Sequence, residues 1–245
     1  PFAAAAEAVR QFAKLPARVL FVEVVDGLNG GAIVVAQRNA AFDMLVFDHG
    51  LLRKAWRNLD EIAPGVWRSS QPDPAMLRRM AEQGLKAVLN LRGPTLYGSY
   101  LLERETCREI GLELVDFPST SRALPSRDGI LALDAIFARL PKPFLMHCKS
   151  GADRAGFASA LYLLLQTDAA PEAVRRQLSW RYLHVRGAAT GVLHALIAAY
   201  EAERAETGIG FRDWVATGYD PEAISAGYHG NRATGFLVDR VLRRE

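Results

Sequence analysis

From residue 65 onward, short apolar strands alternate with helical stretches closed by glycine or proline, and this rhythm restricts the fold more than any other feature of the chain. Segments 65–69, 86–91, 112–117 and 143–147 read as strands. The sequence KAVLNL at 86–91 is apolar on successive residues, as expected of a strand covered on both faces. Segments 75–83, 100–110, 126–140 and 154–166 read as helices, the first two ending at Gly84 and Gly111. The alternation predicts an α/β fold with a mainly parallel central sheet flanked by helices. Helical stretches at 171–180, 190–206, 211–215 and 237–244 add extra C-terminal helices. Residues 1–58 break the rhythm: a helix over 3–13, a strand over 19–25, a turn-rich stretch at 26–31 and an apolar run at 32–36 form an extension whose role is not legible. The expected division is an N-terminal extension (1–58), a main domain (59–206) and a helical tail (207–245) packed on it or extending it.

Composition narrows the partners. Half of the 245 residues are apolar and 23% are charged, the usual balance of a globular protein with a sizeable core. A net charge of +3 permits an anionic substrate, and no nucleic-acid partner is expected, since no concentrated basic stripe is present. The apolar stretch at 19–36 is interrupted by Glu23, Asp26, Asn29 and three glycines, so no transmembrane segment is expected. Residues 1–8 lack a basic region followed by a long apolar block, and two cysteines, Cys107 and Cys148, are too few for a disulfide framework. Both observations point to a cytoplasmic protein.

The chemistry concentrates in FLMHCKSGADRAG, residues 144–156. An apolar strand runs into Cys148, a glycine-containing loop follows, and Arg154 opens an apolar helix. Ligands of α/β sheets bind beyond the C-terminal ends of strands. Amides of such a loop form an anion nest, the helix N-terminus adds positive potential, and the arginine can fork onto two phosphate oxygens. The same field favours a thiolate at Cys148.

HCKSGADRAG resembles the phosphate-binding loop of the cysteine-dependent protein tyrosine and dual-specificity phosphatases, in a bacterial form. A bare Cys-X5-Arg arises often by chance. The preceding His147, the central Gly151, the upstream strand and the downstream helix make it specific. The resemblance extends through VWRSSQP (66–72), AVLNLRG (87–93) and WRYLH (180–184), covers roughly 48–206, and touches the tail at 213–215, 219–221 and 237–245.

The resemblance implies a phosphomonoester hydrolase without metal or cofactor, acting on a phosphorylated protein, lipid or small molecule. Cys148 would attack phosphorus and form a cysteinyl-phosphate that water hydrolyses. Lys149, Ser150, Gly151, Ala152, Asp153 and Arg154 would hold the equatorial oxygens, and His147 would support the loop and the thiolate. No metal-ligand spacing is present among His49, His147, His184, His194 and His229. The family usually carries Ser or Thr after the loop arginine, where this chain has Ala155, which puts the speed of intermediate breakdown in question.

Three carboxylates compete as the general acid. Asp153, in the loop itself, is favoured by resemblance to phosphoinositide-directed relatives and myotubularins; its competing reading is a residue that ties the loop down. Asp116 lies 32 residues before the cysteine but within a predicted strand, and Asp128 lies in a first helical turn, where a carboxylate is more often structural. Lys149 suits either a highly anionic substrate or solvent, and Arg92 either the mouth or a loop cap. Cys107 reads as a helix residue or as a disulfide partner of Cys148 under oxidation. His184 and Trp180 read as packing residues; Arg240, Arg243 and Arg244 read as a solvated face or one that attracts anionic lipid. Two other functions fit less closely: a rhodanese-like sulfurtransferase, and a turnover-impaired phosphate-binding module. The Cys148 to Arg154 spacing and the Gly151-Ala152-Asp153 content favour phosphate over the former.

Overall fold

The computed structural model describes residues 57–95, 97–185 and 189–228. The elements expected within 1–56, the helix at 237–244 and the arginines at 240, 243 and 244 lie outside the described residues.

Five strands form one sheet: β1 (Asp60–Ala63), β2 (Val66–Ser69), β3 (Ala87–Asn90), β4 (Glu113–Asp116) and β5 (Phe144–His147), in the order β1-β2-β5-β3-β4. The last four run parallel and β1 pairs antiparallel with β2. Eight α-helices complete the described fold: α1 (Pro74–Glu82), α2 (Gly98–Ile110), α3 (Arg127–Arg139), α4 (Arg154–Gln166), α5 (Pro171–Arg176), α6 (Val192–Thr207), α7 (Phe211–Thr217) and α8 (Pro221–Gly227). The α/β expectation holds.

The helix starts follow local chemistry. Asp73 caps α1 by accepting from Met76 N at 2.7 Å, with Pro74 in the first turn, and Ser126 caps α3 by accepting from Gly129 N at 3.1 Å. Side chains of the strands alternate between two cores, the period-2 consequence of the pleat. Phe144 and Met146 of β5 join Ala87 and Leu89 on the larger side, packed against α3 and α4; Leu145 and Val88 face the smaller side with Met76, Leu77 and Cys107. Phe137, Phe144 and Tyr162 meet edge to face at 5.2 and 5.8 Å, so truncating Phe137 to Ala costs about 3–5 kcal/mol.

The C-terminal helices share this larger core. Phe211, Trp214, Val215 and Tyr219 are buried in it, and α7 packs on α3 and α4. Tyr219 also donates its hydroxyl to Pro125 O at 2.7 Å, while Arg127 Nη2 donates to Tyr219 O at 3.0 Å. The tail thereby anchors the connection between β4 and α3. Among the described residues no helix is long and apolar enough to cross a membrane.

Two elements depart from the sequence expectation. The stretch 60–63 carries two acidic residues and is only partly buried, as an edge strand can be, so it gives no apolar signal. The helix expected over 171–180 stops at Arg176, and Trp180–Tyr182 forms a separate 3₁₀ turn.

Candidate active site

β5 is the middle strand of the sheet, with Ser69 of β2 and Asn90 of β3 flanking His147 in register. The chain leaves this strand at Cys148, and α4 starts at Arg154. The loop between them therefore lies beyond the C-terminal ends of three parallel strands, where the side chains of several elements converge. Cys148 is buried, and its Sγ accepts the amide of Gly151 at 3.2 Å. That geometry depends on glycine: Gly151 has φ +75°, and a Cβ would sit 2.6 Å from Ser70 N and 2.7 Å from Ser69 C. Further bonds tie the loop to its neighbours, from Gln71 N to Lys149 O at 3.2 Å and from Asn58 Nδ2 to Ser150 O at 2.8 Å. Ala152 N meets Ser150 Oγ at 3.3 Å.

Beneath the loop lies a residue to which the sequence assigned no role. Arg68, on β2, is fully buried. Its Nη2 donates to Gly151 O and, at 3.4 Å, to Ala152 O; its Nη1 donates to Gln177 O at 2.8 Å and Gln177 Oε1 at 2.9 Å. The guanidinium carbon stands 3.7 Å from the centre of the Tyr182 ring. Burial pulls its pKa down to about 10, while Tyr182 and then Cys148 act in the opposite direction, so Arg68 is cationic at neutral pH. The first turn of α4 presses on the same group. A Cβ at Gly156 would lie 2.6 Å from Gln177 O and 3.2 Å from Arg68 Nη2, which accounts for the second glycine of the motif.

Two buried histidine–carboxylate pairs brace the loop ends. His147 Nε2 lies 2.6 Å from Glu103 Oε1, both side chains being fully buried, and His147 Nδ1 lies 3.4 Å from Cys148 O. Glu103 Oε2 accepts from Gln71 Nε2 at 2.9 Å, and Gln71 Oε1 accepts from Arg92 Nη1 at 2.7 Å. A polar chain thus runs from Arg92, at the end of β3, to the strand residue before the cysteine. At the other end, Asp153 Oδ1 lies 2.6 Å from His184 Nδ1, and the His184 ring stacks obliquely on His194 with centroids 4.9 Å apart.

The three carboxylates weighed as the general acid stand in different surroundings. Asp153 is 3% exposed and its carboxylate is turned inward to His184, 31 residues further on. Its position before α4 gives no side-chain cap either. His184 is more than the packing residue the sequence suggested, and Trp180, 70% exposed, is not packed. Asp116 accepts from Asn90 Nδ2 and from the Tyr100 hydroxyl, each at 2.7 Å. Burial and this bond to Asp116 raise the Tyr100 phenol well above its ordinary range, so it stays protonated and donating. Asp128 is exposed in the first turn of α3. Since α3 connects two parallel strands, that turn lies at the same end of the sheet as the loop.

The open flank belongs to Arg154. This side chain is half-buried, and its Nη1 reaches Ser119 O at 3.4 Å. It borders a cavity of about 230 Å³ between α3, α4 and the 117–126 connection, with Phe117, Ile130, Leu133, Phe157 and Leu161 among its walls. The lining is almost wholly apolar apart from Arg154 and the hydroxyls of Ser119, Thr120 and Ser126. Lys149 and Ser150 are partly exposed, whereas Gly151 and Ala152 are buried. Cys107 and Cys148 belong to the two different cores, and burial pushes the Cys107 thiol up to about 12. Both cysteines are free and buried, and Cys107 packs as a helix residue in the smaller core.

Residues 53–186, more than half of the chain, match the family described as DSP-PTPase phosphatase fused to NAD+ kinase. The chain belongs to this family. It is a cysteine-based phosphatase, and the match lends no support to the sulfurtransferase alternative. No curated protein matches the chain. Among solved structures, TpbA of P. aeruginosa, a Cys-to-Ser variant in complex with pTyr, is 16% identical, covering 66% of this chain and 91% of that one with a TM-score of 0.49. The catalytic core of the PP-IP phosphatase Siw14 of S. cerevisiae, in complex with citrate, is 19% identical over 62% and 95% of the two chains, with a TM-score of 0.47. A putative phosphatase of Shewanella putrefaciens is 19% identical over 59% and 91%, with a TM-score of 0.46.

Proposed function

We propose that this phosphatase hydrolyses phosphomonoesters through a cysteinyl-phosphate on Cys148. The observation that carries the reading is the bond from Gly151 N to Cys148 Sγ at 3.2 Å, in a loop that ends at Arg154 on a helix N-terminus. The hydrogen bond holds the sulfur at the mouth of the loop, beside the positive end of a helix that attracts an anionic phosphoryl group. The thiolate displaces the alkoxide of the substrate from phosphorus, and water then displaces sulfur, releasing inorganic phosphate. The amides from Lys149 to Arg154, with the Arg154 guanidinium, stabilise the three equatorial oxygens. His147, paired with Glu103, holds the strand end from which the cysteine projects. No step requires a metal ion.

In this reading Asp153 anchors the loop through His184, and Asp128 delivers the proton to the leaving oxygen. What supports Asp128 is that the other two carboxylates are engaged by His184, Asn90 and Tyr100, whereas Asp128 is exposed at the end of the sheet where the loop lies. The apolar cavity beside Arg154 favours a substrate with one phosphate on a compact apolar or aromatic alcohol over a polyanion, which would need cationic walls. The division into a catalytic unit at 59–206 and a tail that buttresses it at 207–245 is part of the same proposal, supported by the Tyr219 bond to Pro125.

The test compares the parent with Cys148→Ser on p-nitrophenyl phosphate, with orthovanadate and EDTA as additions. The expected result is complete loss in Cys148→Ser, inhibition of the parent by vanadate, and no effect of EDTA. Activity that survives in Cys148→Ser, or that disappears with EDTA, overturns the mechanism.

A further inference from the structure

Arg68 never meets solvent, and its two terminal nitrogens are fully used by protein acceptors. Burying a guanidinium is costly unless every partner is in place, so a chain that keeps one under its active loop commits four acceptors to it. Two of those acceptors, Gly151 O and Ala152 O, belong to the loop, and two belong to Gln177, in the connection after α5. The geometry of the peptide unit then has a consequence. In a trans peptide the C=O and the following N–H point in opposite directions. With the carbonyls of Gly151 and Ala152 drawn inward to Arg68, the amides of Ala152 and Asp153 point away from it, the Ala152 amide toward the partly exposed Ser150 hydroxyl at 3.3 Å. Successive amides aimed to one side form an anion nest.

We propose that Arg68 is the positioning residue of the phosphate cradle: it turns the Gly151 and Ala152 peptides so that their amides face the phosphate, and it supplies a buried positive charge beneath the Cys148 thiolate. The inference rests on the phosphatase reading above and extends it to a group that touches neither substrate nor phosphorus. Charge and fork are separable at this position. A lysine keeps the charge but cannot span two carbonyls in fixed directions, whereas a methionine fills similar space with neither charge nor donors.

The experiment uses the full chain with Arg68→Lys and Arg68→Met, and Cys148→Ser as control. Two quantities are read: the inhibition constant of orthovanadate against p-nitrophenyl phosphate, and the pH profile of alkylation by iodoacetamide, followed on the Cys148 peptide by mass spectrometry. In Arg68→Lys the vanadate constant is expected to rise about tenfold or more, with the alkylation profile close to that of the parent. In Arg68→Met the vanadate constant rises further and the alkylation profile moves to higher pH. A merely structural arginine would lower the melting temperature of both variants while the folded fraction kept the parent's vanadate constant and profile, and that result overturns the proposal. Should Arg68→Met not fold, Arg68→Lys decides alone, and a parent-like vanadate constant there overturns it. Failure of the underlying reading looks different: the parent itself is then indifferent to vanadate, or Cys148→Ser stays active.

Discussion

Two arginines bracket the same loop. Arg68 approaches from β2 with no exposed surface and four protein acceptors, and Arg154 opens α4 half-buried with one bond of 3.4 Å to Ser119 O. A buried guanidinium whose two terminal nitrogens are taken up by carbonyls, with its Nε buried and unpartnered, has nothing to offer a ligand; its work is to shape the backbone. A guanidinium with one long bond can release it and take two phosphate oxygens instead. The same division runs through the other groups. The inner side holds Glu103 with His147 and Asp153 with His184, dry and mutually paired, while the outer side holds Lys149, Ser150, Ser119 and the apolar cavity. Changes on the outer side should cost activity with little stability, and changes on the inner side should cost both.

The largest effect tests the outer side. Arg154→Ala is expected to lower kcat/KM for p-nitrophenyl phosphate by about 10³ or more, since it removes the clamp on charge that develops in the transition state. Its stability to urea should stay within about 0.5 kcal/mol of the parent, as for an ordinary partly exposed position. Steady-state kinetics beside urea unfolding check both halves. A loss of several kcal/mol in stability would erase the contrast between the two arginines.

A second comparison sharpens the division among the carboxylates. Asp153→Asn weakens the buried contact with His184 and is expected to cost about 1–3 kcal/mol of stability. It should slow aryl and alkyl phosphates to a similar degree, because it loosens the loop and removes no proton donor. Asp128→Asn, on the exposed turn of α3, should leave stability unchanged and slow alkyl phosphates by about 10² while sparing p-nitrophenyl phosphate, whose leaving group needs no proton. Should the selective loss instead appear in Asp153→Asn, the acid stands on the inner side, and His184 is no longer a loop anchor but the partner of a proton donor.

Legibility in the sequence follows the same line. The loop is contiguous: Cys148 to Arg154 lie within one stretch between a strand and a helix, so their spacing together with His147, Gly151 and the flanking elements singles the stretch out in the sequence. The two central strands were equally legible, because Ala87-Val88-Leu89 of β3 and Phe144-Leu145-Met146 of β5 are buried apolar runs. The inner side joins distant segments, Arg68 to Gly151 across 83 residues and His184 to Asp153 across 31, and no local pattern encodes such pairings. A trace was nevertheless present. Arg68 interrupts a strand whose neighbours Val66 and Ser69 are buried, and Glu103 shares the buried side of α2 with Tyr100, Thr106 and Cys107. A charged residue at a core position of an otherwise regular pattern asks for a buried partner. Strand β1 left no trace, being a partly exposed edge with two acidic residues.

The smallest expected effect falls where the two sides meet. Ala155 follows Arg154 directly, yet it is fully buried in the larger core together with Cys148, and its carbonyl accepts from Ser159 Oγ at 2.7 Å. The resemblance places a Ser or Thr hydroxyl at this position, next to the sulfur. Ala155→Ser adds one oxygen and keeps the volume change small, whereas threonine would add a methyl group to a closed site as well. A buried hydroxyl without a partner costs about 1–3 kcal/mol, so a modest loss of stability is expected unless the new group finds the sulfur. If breakdown of the cysteinyl-phosphate limits turnover, a rapid-mixing experiment with p-nitrophenyl phosphate should show an initial burst of p-nitrophenol in the parent. Ala155→Ser should keep the burst rate and raise the steady-state rate by about threefold, equivalent to less than about 1 kcal/mol of barrier. A parent without a burst, or a variant with an unchanged steady-state rate, means that the first displacement limits turnover, and then the missing hydroxyl has no kinetic consequence in this chain.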